Sequence, residues 1–331
     1  MKSGAMWLCL WLFFLIGISS FAQESRLRLM EYNVENLFDT IASPKQGGGE
    51  FTPKGSYHWN SPRYWSKLAR ISRVIAAAGE DRPVDLVALI EVENDSVVAN
   101  LTQRTKLWRM GYEYVITHSA DVRGINVALL YQPHRFRPIG KDTLRVLPVN
   151  KNQYCTRDVL HVAGELITGD TLDVFVCHLP SRRGGRPAMA YRSAVGRALR
   201  VMVDSVMHGR ARAHVVLTGD FNSYYPEPLF ERDLGVRLSS ASDSIEANAL
   251  YLLSHEMRGR EDVRGTYKFQ GQWNQLDQFV VNGRLLSKKG SLRTSPTHCR
   301  IVDFPFLLKK EKSNGGFRPL RTYLGLSLIH I

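Results

Sequence analysis

Short apolar runs of β type alternate with amphipathic helical stretches along nearly the whole chain, and this alternation limits the possible folds most. The β-like runs cover residues 26–32, 84–90, 112–117, 125–131, 159–167, 172–176, 215–217, 265–269 and 276–281. After a Gly/Pro-rich loop at 43–55, Ser61-Pro62 opens a helix in which Tyr64, Leu68, Ile71, Ile75 and Ala78 share one face. Asn94-Asp95-Ser96 caps a second helix, and residues 187–207 form a long third one that carries several arginines. Mixed strands and helices in this order predict an α/β (α+β) domain with two or more layers of sheet. No repeat, low-complexity tract or linker divides the 331 residues, so one large domain is expected.

The first 22 residues read as a secretory signal peptide: Lys2, an apolar core over 6–18, then Ser19, Ser20 and Ala22 before a polar stretch. The apolar run is short for a membrane span. A soluble chain exported to the periplasm or beyond is therefore expected, with no span after signal removal and no stable protein partner. Cys155, Cys177 and Cys299 would remain. Their odd number excludes a closed disulfide framework, and no spacing resembles a zinc site. The net charge of +13 favours polyanions: nucleic acid, phospholipid headgroups or acidic polysaccharide.

Chemistry concentrates where the β runs end. Val215-Val216-Leu217 leads into Gly219-Asp220-Phe221-Asn222, which places a carboxylate and a carboxamide two residues apart. Asp can ligate a hard cation or take a proton from water, and Asn can orient that water or donate to a phosphoryl oxygen. Asn33 and Asn36 follow the first run, Glu91 and Glu93 the second, and His178-Leu179-Pro180-Ser181-Arg182 the run at 172. Asp277 opens the last. Such groups gather on one rim of a sheet, where layered α/β proteins build active sites. Each residue also has a plain structural reading. Glu91 would start a helix, His178 would be a satisfied strand-end histidine, the asparagines would form turns, and Arg182, Arg183 and Arg186 would make a solvated basic loop.

In combination these stretches resemble the endonuclease/exonuclease/phosphatase superfamily, which includes pancreatic deoxyribonuclease and the apurinic endonucleases. The matching segments are Tyr32-Asn33-Val34-Glu35-Asn36-Leu37-Phe38-Asp39, Ala88-Leu89-Ile90-Glu91-Val92-Glu93, Thr156-Arg157-Asp158, His178-Leu179-Pro180-Ser181-Arg182, Gly219-Asp220-Phe221-Asn222 and Trp273-Asn274-Gln275-Leu276-Asp277. They occur in the family's order, and the combination is most similar to its secreted bacterial branch. The resemblance implies a four-layer sandwich, two mixed β-sheets face to face with helices outside, over residues 25–325. It implies phosphodiester hydrolysis with Mg²⁺ or Mn²⁺, as oxygen-only ligands suggest. By the same resemblance Glu91 is the principal metal ligand, and Asn33 beside it contacts metal or phosphate. Asp220 and Asn222 handle the attacking water, and His178 donates to a non-bridging oxygen. Arg157 contacts the substrate phosphate, with Arg182 a further candidate, and Asp277 orients a second histidine.

That second histidine belongs to a Ser-Asp-His segment which this sequence lacks. The stretch 318–325 resembles its lead-in, and 326–331, Leu-Ser-Leu-Ile-His-Ile, matches a translated sequencing adaptor and reads as a non-native tail. The literal chain is accordingly expected to lack the last strand and to be inactive or weak. The leading reading is a secreted endonuclease acting on nucleic acid, DNA ahead of RNA. The alternatives are a lipid-headgroup phosphodiesterase or phosphatase on the same fold, and a non-catalytic polyanion-binding protein.

Overall fold

The computed structural model describes residues 26–41, 48–148, 154–239, 244–259, 263–311 and 315–320. The expected signal peptide, the site of the Ser-Asp-His segment and the tail at 326–331 lie outside the described residues. In chain order, β1 (Leu29–Leu37), α1 (Ser61–Ala78), β2 (Leu86–Val92), α2 (Asp95–Gln103), β3 (Glu113–Ile116) and β4 (Asn126–Tyr131) form one half. Next come β5 (Phe136–Leu144), β6 (Val159–Leu166), β7 (Thr171–His178), α3 (Gly185–Gly209) and β8 (His214–Asp220). The remaining main strands are β9 (Val236–Arg237), β10 (Leu250–Leu252), β11 (Tyr267–Phe269), β12 (Gln272–Asn274) and β13 (Asp277–Asn282).

Two mixed sheets result. The first has four strands in the order β1-β2-β4-β3, and the second seven in the order β5-β6-β7-β8-β13-β10-β9. Strands β1 and β2 run parallel, as do β7 and β8. A parallel neighbour needs a crossover, which α1 and α3 supply. Helix α1 starts as expected, with the Asn60 side chain accepting from Arg63 N, and α3 extends two residues beyond the expected helix at each end. Asn94 caps α2, with the Val97 N–H donating to its side chain at 3.0 Å.

Period-two alternation sorts the second sheet into two faces. Val174 and Val176 enter the core between the sheets, together with Val216, Phe279 and Val281. Phe175 and Cys177 face the other way, against Tyr191, Val195, Leu199 and Val203 of α3. On the first sheet, α1 covers the outside with Leu68, Ile71 and Ile75. Helix, sheet, sheet and helix are the predicted layers, and burial on both faces explains why the central strands read as unbroken apolar runs.

Several elements depart from expectation. Strand β1 runs on to Leu37, because a register shift loops Val34, Glu35 and Asn36 out of the ladder between the Asn33–Ile90 and Leu37–Val92 pairs. Strand β5 carries little apolar signal because it is an edge strand, mostly exposed and interrupted by Pro138. Strands β9 and β10 span at most three residues, too few for periodicity to register. The run expected at 265–269 forms only β11, a hairpin with β12 outside the main sheets. The three cysteines are free. Among the described residues no helix is long and apolar enough to cross a membrane.

Candidate active site

Three strands of the large sheet end on one rung. His178 of β7 pairs in register with Asp220 of β8, and Asp220 pairs with Asp277 of β13. Residues side by side on adjacent strands project from the same face, so the polar row lies along the rim. Gly219 permits the close approach of β8 to β7. It adopts φ +131°, and a Cβ there would lie 2.0 Å from the Cys177 carbonyl oxygen.

The small sheet supplies the opposing wall through two irregular turns of backbone. Glu35, Asn36 and Glu91 all adopt positive φ, at 50°, 49° and 66°, and Asn222 does so at 49°. Glu91 sits at a register shift between Ile90 and Val92. Non-glycine residues held in this region store strain and cluster at functional sites. Here the strain turns Glu91 toward His178 and brings the Asn36 N–H to Glu91 Oε2 at 2.9 Å. Asn33 receives the Glu35 N–H on its Oδ1 at 3.0 Å and donates from Nδ2 to Asp220 Oδ2 at 3.4 Å.

His178 joins the walls. Its Nε2 lies 3.8 Å from Glu91 Oε1 and 3.8 Å from Asp220 Oδ2. Burial, followed by the charges of Arg157 and Arg123, holds its pKa well below the usual histidine range. The ring is therefore neutral at pH 7, and the flanking carboxylates favour the tautomer with hydrogen on Nε2. Asp220 shifts oppositely: burial, then Asp277 and Glu91, pushes its carboxyl well above the ordinary range, with the Asn222 N–H and Arg157 opposing. That N–H donates to Asp220 Oδ1 at 2.8 Å. Asp277 Oδ2 accepts from the Thr266 hydroxyl at 2.7 Å.

Arg157 is buried behind this row. It donates from Nη2 to Leu179 O at 2.7 Å, and Nη1 lies 3.4 Å from Asp121 Oδ2. Asn222 Nδ2 donates to the same Leu179 carbonyl at 3.1 Å. Arg157 Nε and His178 Nδ1 are buried with no hydrogen-bond partner among the described residues. Arg182 stands apart from the cluster, its Nη1 2.6 Å from Glu227 Oε1.

Sequence reasoning missed several neighbours. Arg123 donates to Asn36 Oδ1 at 2.5 Å and lies 3.3 Å from Glu91 Oε2. Its loop offers only turn chemistry, so no pattern betrays it. Lys67 was legible, since a lysine three residues after Tyr64 falls on the apolar face of α1. Its buried ammonium donates to the carbonyls of Glu35 and Asn36. Fully buried Glu31 sits within electrostatic reach of Asp277 and Asp220, and burial followed by those charges raises its pKa well above normal.

The donor set fits a hard divalent cation. Glu91, Asp220 and the Asn33 amide offer oxygen ligands, and a cation would relieve the cost of ionising Asp220. Among the described residues no three His, Cys, Asp or Glu side chains converge as a closed metal cage.

Two mixed sheets with a rim of carboxylates, amides and one histidine define a layered α/β sandwich built for phosphoester chemistry. The Endonuclease/Exonuclease/phosphatase family model matches residues 28–330, and the chain belongs to that family. Its members hydrolyse phosphoester bonds and generally use divalent metals. Solved structures share the fold at low identity. Humanized D. rerio TDP2 is 17% identical with a TM-score of 0.55, covering 92% of this chain and 98% of its own. D. rerio TDP2 complexed with single strand DNA product is 15% identical with a TM-score of 0.53, covering 92% and 97%. A mannosyl-6-phosphatase of Bacteroides thetaiotaomicron is 14% identical with a TM-score of 0.55, covering 92% and 99%. No curated protein shows significant sequence similarity to the chain.

Proposed function

We propose that this chain is a metal-dependent phosphodiesterase whose substrate is a nucleic acid, DNA in preference to RNA, encountered after export. One observation carries the reading: His178 Nε2 stands 3.8 Å from both Glu91 Oε1 and Asp220 Oδ2, linking a cation-binding carboxylate to a water-handling one. Glu91 and Asn33 would hold Mg²⁺ or Mn²⁺, which supplies positive charge for a phosphoryl group that resists attack because it is already anionic.

The remaining chemistry belongs to the protein. Asp220, with an elevated pKa and its Oδ1 fixed by the Asn222 N–H, accepts a proton from the attacking water. Asn33 and Asn222 constrain the direction of that carboxylate. His178, neutral and buried, donates from Nε2 to a non-bridging oxygen, where a preplaced donor counts most as charge develops. Arg157 contributes fixed positive charge behind the phosphate. Asp277 sits beside Asp220 to orient a further donor.

The surplus of 44 basic over 31 acidic residues supports a polyanionic substrate. Of the aromatics that could meet a lipid surface, Trp59 is 2% exposed with its indole donating to Phe38 O at 3.0 Å, and Tyr64 is buried, which leaves Trp65 at 36%. The test is hydrolysis of plasmid DNA, single-stranded DNA, RNA, sphingomyelin, mannose 6-phosphate and bis(p-nitrophenyl) phosphate. Each is assayed on the protein expressed from its native reading frame, with Mg²⁺, Mn²⁺ or EDTA and with Asp220→Ala as control. DNA turnover that needs metal and Asp220 is expected. Turnover of the sugar phosphate or sphingomyelin without nucleic acid turnover would replace this reading.

A further inference from the structure

Arg182, Tyr224 and Glu227 form a cluster beside the site that the chemistry above leaves unused. Arg182 follows His178 by four residues and Tyr224 follows Asn222 by two, so both lie on the segments that leave the rim ends of β7 and β8, outside the polar row itself. Glu227 takes one edge of the guanidinium, Oε1 to Nη1 at 2.6 Å, while its Oε2 accepts from the Ser223 hydroxyl. The guanidinium carbon lies 4.9 Å from the centre of the Tyr224 ring.

Arg182 therefore has its charge balanced and part of its donor fork occupied. A grip on phosphate would use that fork. Both groups remain partly accessible: the Arg182 side chain is 40% exposed and Tyr224 37%. A guanidinium fixed at one edge and backed by a ring is already ordered when a flat partner arrives. Arginine planes and aromatic rings are the surfaces on which unpaired bases stack.

We propose that Arg182 and Tyr224 form a stacking platform for an unpaired nucleobase, next to the phosphate held by His178 and Arg157. The proposal rests on the nucleic-acid reading. It is tested with a single-stranded oligonucleotide and an abasic strand of equal length and charge, comparing KM and binding measured by fluorescence anisotropy. The wild-type protein is expected to favour the base-bearing strand by about tenfold.

Arg182→Lys keeps the charge and removes the plane, so it should bring the preference close to one, as should Tyr224→Ala. Tyr224→Phe should retain it. Thermal melting of each variant separates this effect from misfolding. An undiminished preference in Arg182→Lys would overturn the platform, and so would equal weakening for both strands. If the wild type binds neither strand, the platform fails. Asp220-dependent hydrolysis of bis(p-nitrophenyl) phosphate would still uphold the hydrolase. Base-selective binding with no turnover of any phosphodiester would uphold the platform and overturn the hydrolase.

Discussion

Asp220 occupies a position where burial, Asp277 and Glu91 all penalise its charge. Its folded pKa lies above the unfolded value of about 3.9, so the folded state binds more protons than the unfolded state across that window. Stability is accordingly lost as pH rises through it. Asn at this position keeps shape and some hydrogen bonding but has no such dependence. We therefore expect Asp220→Asn to melt at a higher temperature than the wild type in EDTA, with a gap that opens above about pH 4 and persists at pH 8. Addition of Mg²⁺ should narrow the gap by stabilising the wild type alone. The same variant should lose about 10²–10⁴-fold in turnover, the usual contribution of a placed general base. A pH-independent gap, or a wild-type protein more stable than the variant in EDTA at pH 8, would contradict this account.

At the level of elements, the site depends on irregularities in strands that the sequence presents as regular. The bulge at Glu35 and Asn36 is strained, and Lys67 of α1 holds it from behind by donating to both carbonyls. Burial pushes the Lys67 pKa down to about 8, with Glu35 and Glu91 opposing. Replacing it by Met preserves the apolar stem and removes the ammonium from both carbonyls, so that Asn36 O keeps only the Phe38 N–H at 3.0 Å of the donors described. Lys67→Met should weaken Mg²⁺ binding by about 10–100-fold, as loss of an outer-shell support does, measured by titration calorimetry. An unchanged affinity would show that the bulge holds itself. Gly219 is constrained more directly by its φ of +131° and the nearby Cys177 carbonyl. Gly219→Ala should cost more than about 4 kcal/mol or yield no folded protein, read by denaturant melts.

These cases show which structure was legible in the sequence. Asn33, Glu91, His178 and Asp220 were visible because each follows or ends an apolar run, and Asp277 because it opens one. Of the two main crossover helices, α1 was visible through its Ser61-Pro62 start and its periodicity, and α3 through its length alone. Arg123 and Glu31 were not, since their roles arise when two sheets meet and strands distant in sequence become neighbours. Positive φ at Glu91 was hidden for another reason: nothing in glutamate advertises a bulge, whereas Gly219 at least advertises conformational freedom.

For the whole molecule, the sandwich places α1 and α3 outside the two sheets and the polar row at the rim where the sheets meet. The excess of +13 charges lies on a framework whose chemistry needs few of them. Arg157 is fixed behind the site, and Arg182 is balanced by Glu227. The net positive charge acts at longer range on a polyanion. Each phosphate neutralised by such charge releases counterions, so affinity falls with salt by a log–log slope of about 0.9 per contact on duplex DNA. Two contacts beyond the cleaved phosphate would raise KM for duplex DNA about tenfold between 50 and 200 mM salt. A dinucleotide, too short to reach them, should show a much smaller rise, and kcat should change little for either. Equal salt dependence for both substrates would confine recognition to the catalytic rim and remove the basic surface from the account.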